Sequence, residues 1–126
     1  MTTTAQQTVL ELAVLVGRWE NTNRAGSIER ITCRPAGDSA LFVSAISRAT
    51  GGERDWGKVI APVFSFTFDS HDAGAFNARF DLGFAIVHMQ ANVKAGVLVV
   101  ATFTRFTDGS GRAAFFDREF FHRVAP

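Results

Sequence analysis

The 126-residue chain has no tyrosine, a single cysteine and three histidines. With Cys33 alone, no internal disulfide forms and a zinc-knuckle arrangement is excluded. No pair of histidines has metal-ligand spacing, so no metal site is expected. The net charge is +1 and the arginines and lysines are scattered, which removes the electrostatic case for nucleic acid or an anionic membrane. Long apolar runs are also missing. Leu12–Val16 is too short for a signal peptide or a membrane span, and the opening MTTTAQQT lacks a basic region. A soluble, cytoplasmic protein is the expectation. There is no glycine-rich phosphate loop, Gly-x-Ser-x-Gly elbow or dinucleotide fingerprint, and no cofactor is expected.

What is present is apolar and aromatic. Hydrophobic residues make up 47% and charged residues 20%, the balance of a globular domain, and the length suits one domain with one core. The aromatic set is 13 phenylalanines and two tryptophans. Phenylalanine brings area without a hydroxyl that needs a partner. Such residues fill a dry core, line an apolar pocket or cover a subunit interface. Core filling is the default reading for most of them.

Thr8-Val-Leu-Glu11 fits a capping box, and Val9, Leu12, Ala13 and Val16 recur at helical spacing, so a short N-terminal helix or helical turn is expected to end near Gly17. The pattern then changes to β. Strands are expected at Gly17–Asn23, Ser27–Arg34, Ala40–Arg48, Gly57–Asp69, Ala75–Leu82, Phe84–Val93, Val97–Phe106 and Arg112–Val124. Clusters such as Pro35-Ala-Gly-Asp-Ser39, Thr50-Gly-Gly-Glu53 and Asp108-Gly-Ser-Gly111 separate them. Pro62 cannot donate to a ladder and predicts a bend or bulge in the fourth strand. Eight consecutive strands with short turns imply an all-β, antiparallel up-and-down barrel in one domain, because closure removes the exposed edges. Phe84–Val93, Val97–Phe106 and the last strand read as apolar on both faces. A second subunit is the expected cover, which makes the protein a homo-oligomer.

Gly17-Arg-Trp19 opening the first strand resembles the start of the calycin barrels: lipocalins, fatty-acid-binding proteins and avidins. In those barrels the tryptophan plugs one end, and in lipocalins an arginine from the final strand packs across it. The resemblance gives these roles to Trp19 and Arg123, with Arg118 and His122 as substitutes. Avidins and streptavidins are most similar. Gly17, Trp19 and Asn21 match their opening, Gly26-Ser27 follow two residues late, and Phe120-Phe-His-Arg-Val124 is similar to their closing strand. Their biotin site also draws on several later tryptophans. Trp56 is the only later one here, so the resemblance bears on fold rather than on ligand.

Several residues are candidates for a site. Asn21 offers an amide to a ligand, or else holds the first turn. Trp56, in the charged segment Glu53-Arg-Asp-Trp-Gly57, reads as a loop residue that covers a barrel mouth or packs beneath it. His88 is a candidate pocket base, ligand contact or haem ligand, against the commoner reading of a satisfied strand histidine. Phe116 is a candidate lining residue. Glu119 shares a face with Phe115, Phe121 and Arg123; if that face is interior, Glu119 and Arg123 form a buried pair near Trp19, acid-base or structural. Asp81 is a third possible acid or base beside Glu119 and His88. His122 invites comparison with the late haem ligand of nitrobindin, but the glycine-rich opening of that family is absent. The expected function is binding of a small hydrophobic or amphipathic molecule inside the barrel. The alternative is a cofactor-free cyclase or isomerase that folds a polyketide- or terpenoid-like substrate and moves a proton.

Overall fold

The computed structural model describes residues 9–49 and 51–124. Eight strands follow one another: β1 (Gly17–Asn21), β2 (Ile28–Pro35), β3 (Ala40–Ala49), β4 (Gly52–Ser65), β5 (Ala73–Asp81), β6 (Ala85–Lys94), β7 (Val97–Phe106) and β8 (Phe115–Val124). Each pairs antiparallel with the next, and β8 returns to β1, so the sheet is a closed barrel. The closing register sets Trp19 opposite Arg123 and Asn21 opposite Phe121. Closure gives every strand two neighbours and leaves no open edge.

Side chains alternate along each strand, so one face fills the barrel. Leu41, Val43 and Ala45 on β3, Phe76, Ala78 and Phe80 on β5, and Val87, Met89 and Ala91 on β6 are buried in a single cluster. Alanines recur because an eight-stranded barrel is only just wide enough for its side chains. That narrowness corrects the expectation about phenylalanine. Only Phe76, Phe80 and Phe121 are buried among the described residues, whereas Phe64, Phe66, Phe68, Phe103, Phe115, Phe116 and Phe120 are exposed.

Four further expectations are corrected. Residues 9–16 form no helix: Val16 N–H donates to Leu12 C=O in one turn, and Glu11 makes an isolated parallel bridge to Asp72. Thr8, which opens the expected capping box, lies outside the described residues. The fourth strand starts at Gly52, so Trp56 belongs to a strand rather than a loop. The ladder runs through Pro62, opposite Ala40; β4 bulges elsewhere, against Ser44–Ile46, and opposite Phe64/Ser65 the extra residue is Gly74 on β5. Finally, β6 alternates buried Val87 and Met89 with exposed His88 and Gln90. Of the three strands expected to be apolar on both faces, β7 and β8 therefore carry exposed phenylalanines and β6 does not.

Candidate functional site

The two ends of the barrel are built differently. One end is plugged by Trp19, which is buried together with Leu15 from the segment before β1. The indole N–H donates to Leu15 C=O at 3.0 Å, and the Arg123 guanidinium lies 4.6 Å from the ring centroid. Arg123 also donates to Val14 C=O. Cation, ring and chain segment thus hold one another, as a partly desolvated cation–π contact favours. Nearby on β2, burial pushes the Cys33 thiol up to about 12, against the smaller opposing pull of Arg34 and Arg123.

The other end is open. A cavity of about 280 Å³ enters there between the β1–β2, β3–β4, β5–β6 and β7–β8 turns. Ile28, Ala85 and Val87 form its apolar depth, with Trp56, Leu82 and Phe84 on its wall. Trp56 donates its indole N–H to the Ser47 hydroxyl at 2.8 Å and meets Phe80 edge-on at 5.3 Å. Thr102 is buried and also lines the cavity.

A bulge puts Trp56 there. Ser44 pairs with Lys58, but Ile46 pairs with Asp55, so β4 carries one extra residue at Trp56-Gly57. Gly57 takes φ +83°, a conformation that side-chain-bearing residues rarely adopt. The extra residue inverts the alternation. Above it Val59 and Ala61 pack on the core; below it Arg54 and Trp56 line the cavity. Arg54 then stands 4.4 Å from the Phe84 ring centroid. Arg112, from the β7–β8 loop, lies 3.9 Å from the Phe106 ring centroid and pairs with Asp108 at 2.8 Å. Hydrogen bonds from Ser110, and then the Arg112 charge, hold Asp108 down to about 2.

Among the sequence candidates, only Trp56 lines this cavity. Asn21 is buried but fully engaged. Its amide donates to Ile28 C=O at 2.8 Å and to Glu119 at 2.5 Å, and its oxygen accepts from Asn23 N–H at 2.9 Å. Glu119 in turn accepts from Ser27 N–H at 2.9 Å and from Ile28 N–H at 3.4 Å. The carboxylate thus pins the β1–β2 turn to β8. A methyl on Gly26 would stand 2.2 Å from the Asn21 amide nitrogen, so this turn needs glycine. The expected Glu119–Arg123 pair does not form. Four residues along one strand separate the groups by roughly 13 Å, and each finds its own partner near its own end of the barrel.

His88 and Phe116 stand on the outside. With Arg79, Phe103 and Arg105 they line an outer groove of about 450 Å³ on β5–β8. It is larger than the interior cavity, and its phenylalanines are exposed. Inward placement of His88 fails because Val87 and Met89 take the interior positions on β6. Asp81 is exposed and accepts from Gly83 N–H at 2.9 Å in the β5–β6 turn. His122 lies on the outer, exposed face of β8. Glu119, His88 and Asp81 are therefore dispersed, and none of them lines the cavity. Among the described residues no group of three metal-binding side chains comes together, and no helix is long and apolar enough to cross a membrane.

No family model, curated protein or solved structure matches the chain. Fold alone does not fix function, so the functional reading rests on the geometry of the open end.

Proposed function

We propose that the protein binds a small hydrophobic or amphipathic molecule in the open half of its barrel. The observation that carries this reading is the 280 Å³ interior cavity, closed below by the packed core and opening between four turns. It is a compact site, near the small end of ligand pockets, with apolar walls and a few polar groups. The calycin resemblance supports the same reading, since Arg123 across Trp19 at the sealed end is the arrangement it implies. The dispersal of Glu119, His88 and Asp81 favours binding over acid-base catalysis.

Titration with the neutral fluorophore N-phenyl-naphthylamine tests the reading. Its emission is expected to rise on binding while Trp56 emission is quenched. Ala85, buried in the cavity, is the position to block: Ala85→Phe is expected to abolish the response. An unchanged titration in that variant overturns the placement of the ligand. Native mass spectrometry of the purified protein is expected to show a retained small molecule.

The reading extends to assembly. On the outer face, Phe103 and Phe116 lie 5.1 Å apart, with Phe120 further along β8, and all three are exposed. A patch of this kind is the usual mark of an interface. A second copy is the occupant we infer, and light scattering at micromolar concentration is expected to report a dimer or larger. A monomer contradicts it.

A further inference from the structure

Resting on the cavity reading above, we propose that the ligand is an amphipathic carboxylate, held with its apolar body in the barrel and its anionic head among Arg48, Arg54 and Arg112 at the mouth. These three arginines line the cavity and no carboxylate side chain does. The charged side chains that line the cavity are thus all arginines, set above an apolar depth.

The arginines are held in place by the protein itself. Arg54 lies over Phe84 and donates to Leu82 C=O at 3.3 Å. Arg48 donates through Nε to Gly26 C=O at 3.1 Å. Arg112 lies 3.9 Å from the Phe106 ring centroid and 5.9 Å from that of Phe84. Stacking and carbonyl contacts fix each guanidinium plane while leaving further N–H groups free, and a fixed planar fork suits a planar carboxylate.

The nearby acids are already engaged. Asp108 pairs with Arg112, Glu119 is bonded to the Ser27 and Ile28 amides, Asp117 accepts from Arg118 N–H at 3.0 Å and from the Ser27 hydroxyl at 3.5 Å, and Glu53 bonds Arg30. Arg48 and Arg54 have no carboxylate partner among the described residues. A ligand headgroup would supply the missing anion. Thr102, in the cavity wall, offers a second polar contact to the ligand body.

The test displaces bound N-phenyl-naphthylamine with octanoate and with octanamide, which share a chain and differ in charge. At low salt, octanoate is expected to displace the probe at a concentration at least about tenfold lower than octanamide. The preference is expected to shrink as salt is added, because the arginines are exposed to solvent. In the Arg48→Gln/Arg54→Gln double variant the ratio should collapse toward one. In the Arg48→Lys/Arg54→Lys variant part of it should return, which a purely structural role would not produce. If the probe binds but both displacers act alike, or the preference survives in the Gln variant, the headgroup inference is wrong and the cavity reading stands. If neither probe nor octanoate changes Trp56 emission, both are wrong.

Discussion

The sealed end and the open end of this barrel use the same materials to opposite effect. Each holds a tryptophan, and each sets arginine against an aromatic ring. At the sealed end Trp19 is buried, its N–H is taken by Leu15 C=O, and Arg123 closes over it with the chain segment before β1. At the open end Trp56 is only partly buried, and its neighbours Arg54 and Arg112 stack on rings around a space rather than across it. An aromatic–cation pair therefore plugs a barrel where the backbone brings a third element over it, and rims a cavity where the strands end in short turns. On the proposed reading, the first arrangement serves stability and the second recognition.

The largest effect should come from removing the plug. Trp19→Ala is expected to lower stability by about 3–5 kcal/mol, the range for emptying a large buried site. A denaturant midpoint near that of the parent would break the contrast between the ends.

The second effect is one of pH at the sealed end. The unfolded thiol of Cys33 ionises near 9.0 and the folded one near 12. Between these values the unfolded chain has released a proton that the native protein keeps, so stability falls as pH rises. The stabilisation is complete below the first value and lost progressively up to the second, at about 1.4 kcal/mol per pH unit. Chemical unfolding across that window checks the slope, and Cys33→Val should flatten it. In the native protein the same thiol should resist alkylation at neutral pH.

A smaller change should come from the bulge that aims Trp56. Gly57→Ala places a side chain at φ +83°, and a loss of about 1–2 kcal/mol is expected. Trp56 emission should shift at the same time, because the parity of β4 below the bulge depends on that residue. A stable variant with parental emission would separate the bulge from the site.

The smallest effect sharpens the division of labour. Arg54→Gln should leave stability within about 0.5 kcal/mol of the parent, as for most exposed positions. Thermal melts compared with octanoate displacement check this: stability should hold while the preference for the anion falls.

Much of the fold was legible because turn residues and alternation are local signals. The strand Val97–Phe106 has the bounds the sequence implied, and the order of eight strands with short turns leads to closure without further information. The charged segment Glu53-Arg-Asp-Trp-Gly57 misled because its polarity resembles a loop. It lies at the end of a long strand, where one face meets solvent and the other a solvated mouth. The arginines at that mouth carried no signal of their own, since Arg112 lies far along the chain from the hairpin residues Arg48 and Arg54.

Composition and periodicity by themselves determined an all-β antiparallel barrel, and the resemblance at Trp19 and Arg123 identified residues that meet at its sealed end. Only the tertiary structure decided which face of each strand looks inward. It turned Phe103, Phe116, Phe120 and His88 outward, tied Asn21 and Glu119 into the β1–β2 turn, and gathered the arginines at the mouth. The reason is that alternation has a period of two residues, so a sequence apolar on both faces reads equally well in either parity. The choice is made by registers between distant strands and by bulges, the one at Trp56-Gly57 among them.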